Sequence, residues 1–366
     1  EDDAYIHFRI AQNFARYFQP FFNPGDPVMS TSSFVWTSIL ALISQVKLPL
    51  PVTVAFLNPL FTVLGAVTWS RLLVRYAGKR SCSLLVMVFE LGYVGLMLLS
   101  STGLMESPFA LLLLGLAVLL LSGQSRWGWT LLALAIFTRY EMAVYAGLFG
   151  LAWLFTRRPW KQKITEILYF LVPTVLFSAV TFGFYGTLIP NTVAAKQVVY
   201  RIAAKTTFER VFYTLFPKNT LPFLGIITGW QGLQEKVFTT LAKAWQPLMI
   251  AFSAIVLLIY PKKREWKQVD LYNLLLLAGG ILLAGLYVLE KVLIFEWYTP
   301  IFTIPVYFGV FHFLARLHVP AEGKSRRMSW QQVIVSLFAV LISLNPFANL
   351  GLNTYAALVD LSKSPQ

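Results

Sequence analysis

The chain has 366 residues, of which 57% are hydrophobic, 16% aromatic and only 13% charged, and its mean hydropathy is +0.65. This composition excludes an ordinary soluble domain, and the continuous Leu-rich stretches argue against the short alternating strands of a membrane barrel. The net charge of +14 comes from basic clusters in short loops between apolar segments, which favours membrane topology over nucleic-acid binding. We therefore predict an all-α polytopic membrane protein.

The chain opens with the charged run Glu1 to Arg9, which contains Asp2, Asp3 and His7. Carboxylates at the edge of a bilayer are costly to desolvate, so chemistry or a cationic partner explains them better than folding does. The alternative is a solvated N-terminal tail.

Two short helices are predicted before the first spanning segment. Residues 8–18 place Arg9, Asn13 and Arg16 on one face, which is typical of an interfacial helix. Residues 34–46 are apolar, but about 20 Å of helix is too short for the roughly 30 Å hydrocarbon core. We interpret this segment as a second juxtamembrane helix.

Hydropathy predicts about ten spanning segments, at 52–74, 83–100, 108–122, 128–138, 140–156, 165–184, 246–260, 271–289, 299–315 and 330–346. With this assignment the basic clusters share one side, which we assign to the cytoplasm. The N-terminal acids then face outward, and we expect a further helix ahead of Glu1 to carry them there.

The predicted organisation has five parts. A first extracytoplasmic loop covers 1–51, a catalytic set of transmembrane helices 52–184, and an extracytoplasmic interfacial segment 185–245. C-terminal transmembrane helices cover 246–346, and an extracytoplasmic tail covers 347–366. The short tail leaves recognition of an acceptor to the membrane part or to a partner protein.

Four sets of motifs occur in order along the first 200 residues. They are D-D-A-Y-I-H-F-R-I-A-Q-N with F-N-P-G-D-P-V and T-S-S-F-V-W-T; T-G-L-M-E-S-P-F-A-L at 102–111; T-R-Y-E at 138–141; and F-Y-G-T-L-I-P-N-T-V-A-A-K at 184–196. In these motifs the chain resembles the C-superfamily (GT-C) of membrane glycosyltransferases, and within it bacterial mannosyl- and arabinofuranosyltransferases. Beyond residue 200 only the hydropathy is similar. Two departures are Tyr140, where relatives commonly have Pro after Arg, and Ser107 in the Met-Glu motif.

The resemblance implies a helical bundle in the bacterial cytoplasmic membrane with its active site facing the periplasm. It implies transfer of a sugar from a polyprenyl-phosphate donor to a glycan, lipid or protein acceptor, with inversion at the sugar. Such a reaction needs a base for the acceptor hydroxyl and cationic or polar groups for the lipid phosphate. In the family the acid at the start of this loop is the base, so Asp2 or Asp3 is the catalytic candidate. The sequence does not separate the two.

Lys196 is the first candidate for the donor phosphate, because it ends the Pro190-Asn191-Thr192 motif near the outer face. Its alternative role is snorkelling to anionic lipid. Arg139 is the second candidate, and its alternative is a structural ion pair with Glu141. Arg9 and His7 are candidates to bind the second Asp.

Other substrate-binding candidates are Glu106, which alternatively lies in water between two spans, and Glu296 with Tyr298. The latter pair is placed to form a sugar-stacking acidic corner. The three His have no metal-ligand spacing, so no metal site or other cofactor is predicted, although a divalent ion bridging an Asp to phosphate is chemically feasible.

Two alternatives come from other functional classes. A lipid-linked sugar transporter, or flippase, would also have many helices and a cationic cavity, but should carry polar residues in mid-membrane on several helices. A non-catalytic scaffold subunit of a membrane complex is the second alternative, since a degenerate family member can retain the motif residues.

Overall fold

The computed structural model describes residues 2–77, 83–192, 268–290 and 298–318, together with Ser343. The regular elements in these ranges are helices, in agreement with the predicted all-α class. In chain order they are α1 (Asp2–Tyr17), α2 (Phe34–Gln45), α3 (Leu50–Ala77), α4 (Ser83–Thr102), α5 (Ser107–Ser122), α6 (Trp127–Thr138), α7 (Met142–Leu154), α8 (Trp160–Tyr185), α9 (Gln268–Glu290) and α10 (Pro300–His318).

Three helical stretches are long and apolar enough to cross a membrane, namely Leu50–Arg75, Trp160–Tyr185 and Leu271–Glu290. These stretches agree with the predicted helical membrane protein. Several other apolar helices are shorter: α6 has 12 residues, or about 18 Å, against a hydrocarbon core of roughly 30 Å. The count of about ten spans therefore stays a prediction.

Eight of the ten predicted apolar segments coincide with α3 to α10 within a few residues. The segment predicted at 140–156 begins later, at Met142, because Arg139 adopts an extended conformation (φ −152°, ψ 121°) that separates α6 from α7. The segment at 246–260 and nearly all of that at 330–346 lie outside the described residues, as does most of the predicted interfacial segment.

The two short N-terminal helices are present as α1 and α2, and they pack against each other. On α1 the residues Ala4, Phe8 and Ala11 form a buried stripe at helical spacing, whereas Arg9 and Arg16 are exposed. Asn13 is buried, contrary to the face expected for it, because its amide nitrogen donates to the carbonyl oxygens of Phe21 and Phe22, each at 2.9 Å.

The chain forms two compact units. Among the described residues, the first unit takes 2–68, 100–192 and 285–290, and the second takes 69–77, 83–99, 268–284, 298–318 and Ser343. Each unit is therefore assembled from segments that are distant in sequence.

In the first unit, α6 lies at the centre, because it packs against α2, α5, α7 and α8. A cluster of Phe21, Met29, Phe34 and Tyr185 fixes the loop between α1 and α2 to the end of α8. The Tyr185 hydroxyl donates to the carbonyl oxygen of Pro20, which closes this contact. The loop, and α1 through it, are thus held on α8.

The second unit has an aromatic core between α4 and α10. The rings of Phe89 and Tyr307 stack with centroids 5.4 Å apart, and Tyr307 lies 4.6 Å from Phe311. A side chain at Gly92 would place its Cβ 1.9 Å from the Tyr307 hydroxyl oxygen, so glycine is what permits this approach. The same hydroxyl lies 2.6 Å from Ser343 Oγ.

Candidate functional site

Helix α1 carries His7 into the interior of the first unit. The side chain is only 6% exposed, and its Nδ1 lies 3.1 Å from Thr31 Oγ1 in the loop that precedes α2. Thr31 Oγ1 in turn lies 3.2 Å from Thr37 Oγ1 and accepts the backbone N–H of Ser33 at 3.0 Å. The imidazole is therefore held in one orientation by the loop and by α2.

Asp3 lies one helical turn before His7, on the same face of α1, and is half-buried. Asp2 lies about 140° around the helix axis from His7, given 3.6 residues per turn. The described side chains do not include that of Asp2. Helical geometry therefore distinguishes two positions that the sequence leaves equivalent.

Glu106 follows the turn between α4 and α5 and is 1% exposed. Leu104 has a φ of +59°, and the N–H groups of Leu104 and Met105 donate to the carbonyls of Ser101 and Ser100 at 3.2 and 3.0 Å. This pattern closes a helix C-terminus at which glycine is usual, so a leucine there is strained. Such strain concentrates at sites where geometry matters, and here it immediately precedes Glu106.

Asn58 of α3 fixes the same turn from the side. Its amide nitrogen donates to the carbonyl oxygen of Met105 at 2.9 Å and to that of Ser101 at 3.3 Å. The side chain is fully buried. The backbone just before Glu106 is thus held both by its own turn and by a neighbouring helix.

Arg139 joins two carboxylates in the interior of the first unit. One terminal nitrogen donates to Glu106 Oε1 at 2.7 Å and to Ser107 Oγ at 3.4 Å. The other terminal nitrogen and Nε donate to the two oxygens of Glu141, at 2.6 and 3.3 Å. The arginine is 2% exposed, and its planar fork matches the bidentate geometry that a carboxylate favours.

Glu141 is the N-cap residue directly before α7 and also accepts a hydrogen bond from Tyr287 of α9, at 2.7 Å from Oη to Oε1. Burial opposes ionisation of this carboxyl. The Arg139 guanidinium and the hydrogen bonds from Arg139 and Tyr287 outweigh that cost and lower the pKa of Glu141 to about 2. Glu141 is therefore a carboxylate at any physiological pH.

His7 completes the set, because its Nε2 lies 3.6 Å from Glu106 Oε2. That oxygen accepts no hydrogen bond from the described residues, although it is buried. We call His7, Glu106, Arg139, Glu141 and Tyr287 the buried charge network. It holds two carboxylates, one guanidinium and one imidazole, so it can carry a proton or orient a polar group close to His7.

Four sequence-predicted candidates thus come together: His7, Glu106, Arg139 and Glu141. Arg139 forms the ion pair with Glu141 that was its alternative role, and Glu106 is buried and pairs with Arg139.

The other candidates lie elsewhere. Arg9 is exposed, Asn191 has an exposed side chain and donates its backbone N–H to the Met29 carbonyl at 3.1 Å, and Tyr298 is buried in the second unit. Lys196 and Glu296 lie outside the described residues.

Sequence reasoning missed Tyr287, Thr31 and Asn58. Tyr287 is 146 positions from its partner Glu141 and lies in an apolar helix that also contains Tyr272, so no local pattern marks it. Within the described ranges, no group of three or more His, Cys, Asp or Glu is arranged to hold a metal ion.

Comparison of the chain with protein-family models, with characterised proteins and with solved structures finds no match.

Proposed function

We propose that this protein is an inverting membrane glycosyltransferase that moves a sugar from a polyprenyl-phosphate donor to an extracytoplasmic acceptor. The observation that carries the proposal is the position of the N-terminal acids. They open a helix whose buried face holds His7 3.6 Å from Glu106, and the buried charge network ties that helix to three distant segments. An acid on a helix held in this way is pre-organised for proton transfer.

Asp3 is the proposed general base, because it shares the buried face of α1 with His7. In the proposed reaction, the Asp3 carboxylate takes the proton of the acceptor hydroxyl as that oxygen attacks the anomeric carbon. The bond from that carbon to the phosphate oxygen breaks, and polyprenyl phosphate leaves with the bonding electron pair. A single displacement of this kind inverts the anomeric centre.

Arg139 is proposed to position the site and not to bind phosphate. Its three guanidinium nitrogens donate to Glu106, Ser107 and Glu141, and displacing those carboxylates would leave both without their shared cation. Lys196 is proposed to bind the donor phosphate, because it ends the motif at 184–196.

The proposal places the protein in a bacterial cytoplasmic membrane with about ten spans in this chain and the C-superfamily arrangement. The three long apolar helices support the membrane setting. The location of the site on the periplasmic side follows from the distribution of basic loops, as does the proposed donor-binding role of the segment after residue 185.

One observation favours a second candidate, the non-catalytic scaffold subunit. The buried charge network pairs Arg139 with carboxylates of the same chain, as a purely structural network would. A scaffold would keep this pairing and have no use for an acid at Asp3.

Sugar transfer by the purified protein tests the proposal. The protein is reconstituted in proteoliposomes with a pool of radiolabelled polyprenyl-phosphate sugars and bacterial acceptor glycans or lipids. We expect label to leave the carrier lipid and appear on an acceptor. Carrier-bound label that crosses the bilayer without transfer would instead identify a flippase, and donor binding with neither outcome would identify a scaffold.

A further inference from the structure

A second region of the first unit has the features of a ligand site. A cavity of about 210 Å³ lies between α6, α7 and α8. Its walls include Trp129, Trp153, Ile167 and Phe170, with Gly150 opening the side formed by α7. This volume is below the roughly 300–1,000 Å³ of sites for drug-sized ligands, which suits one part of a flexible apolar molecule.

One end of the cavity is polar and is organised by Glu166. This carboxylate is 2% exposed and accepts hydrogen bonds from Trp153 Nε1 at 2.6 Å and from Gln162 Nε2 at 3.0 Å. Arg158 forms an ion pair with the same carboxylate. Because its oxygens are satisfied by these donors, Glu166 fixes Trp153 in the cavity wall and holds Arg158 beside it, and it does not act as a ligand itself.

Positive charge collects beside this polar end. Lys163 donates to the Leu154 carbonyl at 2.9 Å and lies 5.6 Å from the Trp153 ring centroid, while Arg157 and Lys161 are exposed. Arg158 is balanced by Glu166, so three cationic charges remain without a local counter-charge among these residues. An anion placed here would be attracted strongly.

The surroundings are apolar in the way expected at a membrane interface. Phe155 is 81% exposed and Trp160 is 73% exposed; they flank Arg157 in sequence, and Trp160 directly precedes Lys161. Helix α8 is one of the three stretches long and apolar enough to cross a membrane, and only 6% of its most apolar 18-residue segment is buried inside the protein. Aromatic residues next to basic ones are typical of the level of lipid headgroups.

We propose that this cavity is a binding site for an anionic phospholipid of the surrounding membrane. One acyl chain enters between α6, α7 and α8, and the phosphate lies against Arg157 and Lys161. The apolar cavity and the cations together indicate this ligand. A soluble phosphate would leave the apolar interior unfilled, and a neutral lipid would leave the cations without an anion. The site is separate from the buried charge network, so the proposal does not depend on the proposed glycosyl transfer.

Two glycines of α7 provide a matched pair of variants. A Cβ built at Gly150 or at Gly147 meets no atom within 4 Å, so either position accepts a larger side chain. Gly150 lines the cavity and Gly147 is not among its lining residues. Gly150→Leu should therefore fill the cavity, whereas Gly147→Leu adds the same side chain to the same helix outside it.

The test is native mass spectrometry of the detergent-purified protein titrated with dioleoyl phosphatidylglycerol or dioleoyl phosphatidylcholine. We expect the wild type and Gly147→Leu to retain phosphatidylglycerol in preference to phosphatidylcholine, and Gly150→Leu to lose that preference. Arg157→Gln and Lys161→Gln should each weaken phosphatidylglycerol binding about fivefold without changing phosphatidylcholine binding.

Several outcomes would overturn the proposal. Equal retention of phosphatidylglycerol by Gly150→Leu and Gly147→Leu would remove the cavity from the site. Equal binding of the two lipids by the wild type would remove the role of charge. A wild-type dimer that Gly150→Leu converts to a monomer would assign the cavity to a second copy of the chain. Displacement of phosphatidylglycerol by an equimolar polyprenyl phosphate would assign it to the sugar carrier.

Discussion

Arg139 is the residue on which the buried charge network most depends. Its guanidinium is the only group with a fixed positive charge among the five members, and it contacts both carboxylates. Removing one partner from a buried ion pair is far more costly than removing the pair, because an uncompensated charge is left behind. The network should therefore fail sharply when this side chain is shortened or neutralised.

We expect Arg139→Gln to lower the free energy of unfolding by about 3–5 kcal/mol, because Glu106 and Glu141 lose their shared cation. Unfolding by denaturant in detergent micelles measures this change. Arg126→Gln is the control, since Arg126 is exposed at the other end of α6 and should change stability by less than about 0.5 kcal/mol. Similar effects of the two variants would show that Arg139 has no special electrostatic role.

Glu141 should give stability a defined dependence on pH. Its pKa falls from 4.5 to about 2 on folding, so its contribution is complete above about pH 4.5 and is lost as the pH falls towards 2. The stability difference between wild type and Glu141→Gln should be constant from about pH 7 to 5 and should shrink as the pH falls below 4.5. Unfolding in an acid-stable detergent at several pH values measures it. A difference that disappears between pH 7 and 5 would contradict the ion pair with Arg139.

The helices and the turns differ in how far the sequence predicts them. Eight apolar segments matched helices because continuous hydropathy is a strong local signal, and the start of the segment predicted at 140–156 moved to Met142, after the extended Arg139. The strained turn at Leu104 was not predicted. A glycine usually has the positive φ at a helix C-terminus, so the sequence favours Gly103 for that conformation, whereas the structure has it at Leu104.

Asn58 should show how α3 supports the turn between α4 and α5. Asn58→Leu keeps the branched shape of the side chain but removes the donor to the Met105 and Ser101 carbonyls, so we expect a loss of about 1–3 kcal/mol in unfolding free energy. Thr62→Val is the control one turn further along α3, because Thr62 donates only to the Asn58 carbonyl within its own helix. It should cost less than about 1 kcal/mol. An equal cost for both would mean that the contact to the turn adds nothing.

Contacts between distant segments account for the parts of the site that the sequence could not supply. His7, Glu106, Arg139 and Glu141 were chosen because charged residues are rare and costly beside apolar segments, and this criterion found the members that carry charge. Tyr287, Thr31 and Asn58 are uncharged and common in such helices and loops, so only the fold identifies them. The same holds for the pairing of Arg139, which the sequence left open between substrate and ion pair.

The assembly of the first unit gives the N-terminal helix its significance. Three contacts hold helix α1. His7 joins it to the buried charge network, Asn13 donates to the loop that follows the helix, and Tyr185 of α8 donates to the same loop. A solvated tail would need none of these contacts. The unit therefore presents Asp3 from a fixed helix, and the proposed reaction depends on that placement.

Sugar transfer by two matched variants tests this placement most directly. Asp3→Asn and Asp2→Asn each replace one acid of the pair by its amide, and both are assayed with the radiolabelled polyprenyl-phosphate donor pool after donor binding is shown to be unchanged. We predict that Asp3→Asn abolishes transfer while Asp2→Asn retains it, because Asp3 lies one helical turn before His7 on the same face of α1, whereas the backbone places Asp2 about 140° away around the helix axis. Retained transfer in Asp3→Asn would contradict the account of the site.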